Sequence, residues 1–202
     1  MAKRITARPK LINKTAPKQA PGKLRIIGGA WRRRLLPVIS AEGLRPTSDR
    51  VRETLFNWLQ SELAGSRCLD LFAGSGALGL EAASRGASEV VMVEKSAAVH
   101  DMLKQNVQML AASQVTLLQQ DALLYIQKLT LPESMAFDIV FLDPPYQSQL
   151  LAPVMASLTL SSGTKVYLEA KKGDDIQVPA NWLLLKDKLA GQIHYCLYEI
   201  TN

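Results

Sequence analysis

Residues 67–79 read Arg-Cys-Leu-Asp-Leu-Phe-Ala-Gly-Ser-Gly-Ala-Leu-Gly, and this stretch decides the fold. An apolar run ends near Phe72, a turn of small residues follows, and helical spacing begins near Ala77. A strand that turns through glycines directly into a helix is typical of the first unit of an open α/β sheet. We therefore expect this stretch to begin a sheet whose strands alternate with helices.

The same alternation continues along the chain. Expected strands lie at 67–72, 89–94, 115–119, 137–142 and 165–169, and expected helices lie near 77–85, 96–110, 121–128 and 148–158. Pro153 must lie in the first turn of the last of these helices, because proline has no N–H. Residues 182–188 and 193–200 flank Ala190-Gly191 and predict an antiparallel hairpin at the sheet edge.

The predicted fold class is therefore α/β, with a Rossmann-like, mostly parallel seven-stranded sheet and an antiparallel C-terminal hairpin. A small N-terminal β-hairpin extension precedes this sheet, because two apolar runs within 24–38 surround Gly28-Gly29. After Pro46, Ser48 and its neighbours offer side chains that can cap a helix. The arrangement is that of class I AdoMet-dependent methyltransferases, although a fold alone assigns no function.

The charge of the chain is concentrated at its N-terminal end. Residues 1–52 carry fourteen Lys and Arg but only Glu42 and Asp49, a net charge of +12, whereas residues 53–202 carry −6. A basic arm on a mildly acidic body is the charge pattern of a polyanion binder. We expect a basic flexible tail at 1–22, an RNA-binding hairpin extension at 23–46 and a catalytic domain at 47–202.

Composition excludes several classes of protein. No apolar run approaches the roughly 18 residues of a membrane helix, and no apolar segment follows the first basic residues, so we expect a cytoplasmic protein. Cys68 and Cys196 lie in apolar runs and predict buried thiols. His100 and His194 lack metal-ligand spacing, so no metal site is predicted. A monomer is expected, because no exposed apolar stripe is evident.

The stretch Asp143-Pro144-Pro145-Tyr146 follows an apolar strand and predicts a site for a flat molecule that carries an NH₂ group. The two prolines stiffen the turn and leave its carbonyls facing outward. The Asp143 carboxylate and the Pro144 carbonyl can each accept one amine N–H, and the Tyr146 ring can lie on the face of a base. A proline-rich turn without a ligand is the alternative explanation.

Four carboxylates, of Asp70, Glu94, Asp121 and Asp143, are expected at successive strand ends, where open sheets bind ligands. Asp70 suits the ammonium of a methionine moiety, and Glu94 suits two ribose hydroxyls. Asp121 can accept from an adenine amino group while the Ala122 N–H serves a ring nitrogen. Such a set faces a cationic, amine-rich ligand, unless each member only caps the helix that follows.

A competing hypothesis is a dinucleotide site, since Gly74, Gly76 and Gly79 also satisfy the pattern G-x-G-x-x-G. Asp70, four residues before Gly74, would be awkward near a pyrophosphate. Phe72-Ala73 also lengthens the turn. Charge therefore favours a cationic cofactor over a dinucleotide.

Residues 70–76 together with 143–146 resemble the amino-methyltransferases. Residues 25–31, Arg-Ile-Ile-Gly-Gly-Ala-Trp, and residues 44–58, which begin Leu-Arg-Pro-Thr-Ser-Asp-Arg, resemble the RsmD family. That bacterial family methylates the N2 amine of one guanine in small-subunit ribosomal RNA. The family usually shows Trp-Arg-Gly-Arg where this chain has Trp-Arg-Arg-Arg at 31–34, so the turn of the hairpin can differ here.

The resemblance implies an rRNA (guanine-N2-)-methyltransferase that uses S-adenosylmethionine (AdoMet), needs no metal and acts on ribosomal RNA or an assembling small subunit. The implied cofactor-binding residues are Asp70, Phe72, Ala73, Gly74, Ser75, Gly76, Glu94, Lys95, Asp121, Ala122 and Asp143. The implied catalytic residues are Asp143, Pro144, Pro145 and Tyr146. The implied RNA-binding residues are Arg25, Trp31, Arg32, Arg34, Arg45, Thr47 and Arg52, although a lone Trp also serves as a core anchor.

Three alternatives stay open at the level of the sequence. DNA amino-methyltransferases, which act on adenine N6 or cytosine N4, also use Asp/Asn-Pro-Pro-Tyr, but they normally need a sizeable target-recognition region. Protein-glutamine methyltransferases usually carry Asn at the position of Asp143, and a basic arm would serve no peptide. A non-catalytic RNA-binding module with a vestigial pocket is the third alternative, and binding of AdoMet would exclude it.

Overall fold

The structure is a computed structural model that describes residues 22–39, 48–129, 137–145 and 149–202. Strands and helices alternate along most of this chain. The strands are β1 (Gly22–Arg25), β2 (Leu35–Val38), β3 (Arg67–Asp70), β4 (Glu89–Glu94), β5 (Val115–Gln119), β6 (Ile139–Leu142), β7 (Lys165–Lys171), β8 (Trp182–Ala190) and β9 (Ile193–Ile200). The helices are α1 (Asp49–Trp58), α2 (Gly79–Ser84), α3 (Ala97–Leu110), α4 (Ala122–Lys128) and α5 (Leu151–Ser157).

Seven strands form one sheet in the order β5-β4-β3-β6-β7-β9-β8. The pairs β5/β4, β4/β3, β3/β6 and β6/β7 are parallel, whereas β7/β9 and β9/β8 are antiparallel. This confirms the predicted fold class. The chain winds outward from β3 in one direction and then returns to β6 on the other side of β3. Open sheets bind ligands at such a reversal, outside the carboxyl ends of the strands.

Helices cover both faces of the sheet. Helices α1, α2 and α3 and the N-terminal hairpin share one apolar core, and α4 and α5 share the other. Strand β6 is therefore apolar and buried at all four of its positions, as expected for a central parallel strand. Pro153 is the third residue of α5, so its prediction for the first turn is confirmed. No described helix is long and apolar enough to cross a bilayer.

The N-terminal hairpin is confirmed, but its turn differs from the prediction. Strands β1 and β2 pair from Gly22↔Val38 to Arg25↔Leu35, and residues 26–34 form a long loop instead of a tight turn at Gly28-Gly29. Gly29 has φ +73°, and a Cβ there would lie 1.8 Å from the Ser84 carbonyl oxygen. The glycine is needed because the loop docks against the end of α2.

Two other expectations concern boundaries and buried groups. Helix α2 begins at Gly79, later than the predicted residue 77, and β3 ends at Asp70 rather than at residue 72. Ser48 caps α1 as predicted, accepting a hydrogen bond from the Val51 N–H at 3.4 Å. Cys68 and Cys196 are buried free thiols, which confirms that prediction.

Candidate active site

The glycine loop after β3 is held against the end of β4. Its Gly74 N–H donates to Glu94 Oε2 at 3.0 Å, and the Ala73 N–H donates to the Val93 carbonyl at 3.0 Å. The other Glu94 oxygen accepts from the Ser96 N–H at 2.6 Å. Glu94 therefore joins the loop to the segment that leads into α3. The predicted cofactor-binding residues of 72–76 and Glu94 lie together at one edge of the sheet.

Asp70 has a different role from the predicted contact with a ligand ammonium. Its carboxylate is 1% exposed and accepts from the Gly79 N–H at 2.9 Å and from the Phe72 backbone. Burial is the main cause that raises the pKa of Asp70 to about 7, and the charge of Glu94 raises it further. No ligand can reach this carboxylate in the described conformation, so Asp70 acts by fixing the loop and the start of α2.

Asp121 caps α4, as the alternative reading of the strand-end carboxylates allowed. Its Oδ1 accepts from the N–H groups of Leu123 and Leu124, at 3.0 and 3.4 Å. Its Oδ2 accepts from Lys95 Nζ at 3.0 Å, and this hydrogen bond is the main cause that lowers the pKa of Asp121. Asp121 and Ala122 lie at the same sheet edge as Glu94, because β5 pairs with β4 through Glu94↔Gln119.

The proline turn lies on the other side of the reversal in strand order. Strand β6 pairs with β3 through Asp70↔Phe141, so Asp143 lies directly beyond the strand end, next to the glycine loop's strand. Asp143 is half-buried, Pro144 is buried and Pro145 is exposed. The structure therefore brings the cofactor loop and the proline turn to one edge, as predicted. Tyr146, Arg45 and Thr47 lie outside the described residues.

Sequence reasoning missed Tyr167 and Glu169 on β7, beside the proline turn. Both side chains are buried, and the Tyr167 hydroxyl donates to Glu169 Oε1 at 2.6 Å. Burial, the charge and hydrogen bond of Glu169, and the charge of Asp143 together raise the pKa of Tyr167 well above its usual value. Glu169 occupies a strand end, so the rule that found the other four carboxylates would have found it as well.

The basic hairpin places some of its predicted RNA-binding side chains on the surface. Arg25 is 60% exposed and pairs with Asp49 at 2.6 Å. Arg32 and Arg34 are exposed, and Arg34 Nη1 donates to the Met109 carbonyl at 3.3 Å. Trp31 is half-buried and packs against the core. The exposed arginines form a basic surface on this hairpin.

Arg52, by contrast, cannot contact a phosphate, and its predicted role is wrong. Its side chain is 1% exposed, and Nη2 donates to Asp49 Oδ1 at 2.6 Å and to the Arg25 carbonyl at 2.9 Å. Its Nη1 lies 3.6 Å from Glu81 Oε2. Arg52 instead joins the hairpin to α1 and α2. Only the assembled fold reveals this burial, because arginine is usually exposed.

Glu81 is the second residue of this junction that the sequence did not reveal. It is fully buried on α2, and its two oxygens accept from the N–H groups of Ile27 and Gly28, at 2.8 and 2.7 Å. Arg85 Nε also donates to Glu81 at 2.7 Å. A single buried carboxylate therefore holds the loop of the hairpin on the helix that follows the cofactor loop.

A cluster of possible metal ligands also escaped the sequence, because its members lie on two strands. His194 Nε2 lies 2.7 Å from Asp187 Oδ1 and 3.3 Å from Cys196 Sγ. The ligand atoms of the three side chains all lie within 4.8 Å of one another. Burial is the main cause that raises the pKa of Cys196 to about 11, which favours a protonated thiol. The prediction that no metal binds stays a prediction.

Comparison with known proteins agrees with this architecture. A family model described as "Conserved hypothetical protein 95" matches residues 24–199. Ribosomal RNA small subunit methyltransferase D of Haemophilus influenzae is 43% identical over 195 residues, which cover 93% of this chain and 100% of that protein. The protein of the same name from Escherichia coli K12 is also 43% identical, over 88% of this chain and 90% of that protein.

A solved structure supports the same grouping. The methyltransferase yhhF from Escherichia coli superimposes with a TM-score of 0.79 at 43% identity, covering 89% of this chain and 99% of that chain. Sequence, topology and the described site therefore agree along nearly the whole chain. The chain belongs to the RsmD family, whose family model is described as "Conserved hypothetical protein 95".

Proposed function

We propose that the chain is an AdoMet-dependent methyltransferase that methylates the N2 amine of a guanine in bacterial small-subunit ribosomal RNA. One observation carries the proposal. The glycine loop and the turn of Asp143, Pro144 and Pro145 lie on the two sides of the strand-order reversal, at the same sheet edge. The two relatives named ribosomal RNA small subunit methyltransferase D support rRNA as the substrate.

The residues at this edge fit a cationic, amine-rich cofactor. Glu94, Asp121 and Asp143 bring three carboxylates to successive strand ends, and only Asp121 has a described lysine partner, Lys95. Asn106 lines a small cavity together with Gly74 and Ser75, and its side-chain oxygen has no hydrogen-bond partner among the described residues. A buried acceptor of this kind suits a ligand that donates hydrogen bonds. AdoMet, when bound, supplies a methyl group on a positively charged sulfur.

The main catalytic contribution of the chain is positioning. The Asp143 carboxylate and the Pro144 carbonyl each accept one N–H of the guanine N2 amine, which turns the nitrogen lone pair toward the methyl group. The nitrogen forms the new N–C bond, the C–S bond breaks with its electrons kept by sulfur, and one N–H proton passes to Asp143. Tyr146 stacks on the extruded base.

The basic N-terminal region supplies RNA recognition in this proposal. The exposed guanidinium groups of Arg25, Arg32 and Arg34 contact phosphates, with help from Arg45 and Thr47, and Trp31 anchors the hairpin. The tail at 1–22 and the extension at 23–46 serve the catalytic domain at 47–202, and the protein works in the cytoplasm as a monomer.

Labelled AdoMet tests the proposal. Purified protein is incubated with small subunits from a strain that lacks the corresponding gene, with naked rRNA, or with DNA of the same length. Label should enter rRNA or the subunit and should map to N2-methylguanine in nuclease digests. Label confined to DNA would indicate a DNA amino-methyltransferase, and no label with a working control enzyme would contradict the proposal.

A further inference from the structure

A fifth carboxylate lies at the edge of the sheet beside the proline turn. Strands β6 and β7 are parallel and pair through Phe141↔Tyr167 and Leu142↔Leu168. Continuing this register places Asp143 level with Glu169. Because side chains alternate along a strand, Glu169 shares the face of Tyr167.

Glu169 is costly to bury, and its surroundings are otherwise apolar or aromatic. Its residue is 1% exposed, and its strand neighbours Val166, Leu168 and Ala170 are buried in the core. A buried carboxylate beside a ligand-binding edge points to a function, because an apolar residue would fill such a strand position at lower cost. The site needs negative charge there more than it needs packing.

Two hydroxyl-bearing rings and one carboxylate face Glu169 from three elements. Tyr167 on the same strand donates its hydroxyl to Oε1 at 2.6 Å, and Tyr195 on β9 is the strand partner of Glu169. Asp143 faces it from the end of β6. The charges of both Glu169 and Asp143 contribute to the raised pKa of Tyr167, so the three groups share one electrostatic field.

We propose that Glu169 is a positioning residue that places a negative charge behind Asp143, so that Asp143 is a stronger base for the amine proton. Tyr167 holds the Glu169 carboxylate in place through its hydroxyl hydrogen bond. This inference rests on the proposed function, since it assigns Asp143 as the acceptor of that proton. A neighbouring like charge raises the proton affinity of a carboxylate, and it also favours positive charge that develops on the amine nitrogen.

The proton transfer is balanced within the site. The N–H bond of the methylated amine breaks and leaves its electron pair on nitrogen. An O–H bond forms at Asp143, and the proton then passes to water when the product leaves. Glu169 exchanges no proton with the substrate, so its effect reaches the reaction only through Asp143.

The test is the pH dependence of kcat for Glu169→Gln, Glu169→Asp and Tyr167→Phe, measured with subunits and labelled AdoMet. Glu169→Gln keeps the size of the side chain and removes the charge, so kcat should fall about tenfold with both KM values unchanged. The acidic limb of the profile should move down by about one pH unit, because Asp143 loses a neighbouring negative charge. Glu169→Asp should keep the limb near its wild-type position.

Glu199→Gln is the matched control, because Glu199 pairs with Lys165 at the other end of β7. If Glu169→Gln does not fold, Tyr167→Phe still tests the inference, and it should lower kcat several-fold. An unchanged kcat and an unmoved limb in any folded variant of this pair would overturn the inference. The proposed function would survive that result as long as wild type methylates rRNA and Asp143→Ala does not.

Discussion

Replacing Glu81 by Gln should release the basic hairpin from the body of the protein. The buried Glu81 carboxylate accepts from the N–H groups of Ile27 and Gly28 and from Arg85, and it lies beside the buried Arg52. Gln has one oxygen in place of two, and its NH₂ group would face at least one of these donors. The buried Arg52 would also lose its nearest fully buried counter-charge.

The expected loss of stability is large for a change of one atom. Breaking a buried charge pair by removing one partner costs about 3–5 kcal/mol, because the remaining charge stays buried and uncompensated. We expect the free energy of unfolding in urea to fall by an amount in this range. Limited proteolysis of Glu81→Gln should cut within residues 26–34 before it cuts the sheet, since these residues contact α2 through Glu81.

Glu62→Gln is the matched control, because Glu62 is more than a third exposed and Lys165 keeps a second partner in Glu199. Its unfolding free energy should change by less than about 1 kcal/mol. If Glu81→Gln were as stable as this control, the buried carboxylate would not hold the hairpin. The role of Arg52 as an internal tie would then also be wrong.

Three further predictions concern Asp70, the exposed arginines and Gly29. The pKa of Asp70 is about 7 in the fold against an ordinary 3.8, so the stabilisation that its protonated form provides is lost as pH rises between these values, by up to about 4 kcal/mol. Urea unfolding of wild type at pH 5 and 7.5 should therefore show a larger loss than Asp70→Asn, and parallel losses would contradict this. Arg34→Ala should reduce the slope of log K against log salt for RNA binding by about one unit, whereas Arg52→Ala should leave the slope unchanged and lower stability; the reverse pattern in filter binding would refute our placement of these side chains. Gly29→Ala should destabilise by more than about 1 kcal/mol in thermal melts, because its φ of +73° and the 1.8 Å approach to the Ser84 oxygen leave no room for a methyl group, and Gly173→Ala, with positive φ but open space, should cost less.

Much of the sheet could be predicted because its strands are apolar along their whole length. Strands β4 and β5 begin and end where the apolar runs do, and the glycine loop marks the first βα turn. Strand ends also locate ligands in open sheets, so Glu94, Asp121 and Asp143 could be found by position alone. The proline in α5 placed itself, because its ring excludes every helical position after the first turn.

The errors concern charged residues whose burial depends on distant partners. Arg52 lies four residues after Ser48 in a helix that looks amphipathic, and only β1 and α2 bury it. Asp70 turns its carboxylate inward because the Gly79 N–H lies there to receive it. Glu81 binds residues more than fifty positions earlier in the chain. Such contacts follow from tertiary packing, which no local pattern records.

The cross-strand cluster of Asp187, His194 and Cys196 escaped for a related reason. Spacing rules compare positions along one segment, but Asp187 meets Cys196 through strand pairing between β8 and β9. Glu169 was overlooked because it ends an apolar strand that was read for its core alone. Testing every strand end of the sheet, including the last parallel strand, would have identified it.

The most direct test of the central claim is the Asp143-dependent appearance of N2-methylguanine in rRNA. Small subunits from a strain without the gene are treated with wild type, Asp143→Ala or the control Asp138→Ala, which lies at the opposite end of β6. Mass analysis of nucleosides should find one N2-methylguanine per subunit with wild type and with the control, and none with Asp143→Ala, although that variant still binds rRNA. Equal methylation by Asp143→Ala, or a modification on a different atom, would contradict the assignment of this turn as the place where a guanine amine is methylated.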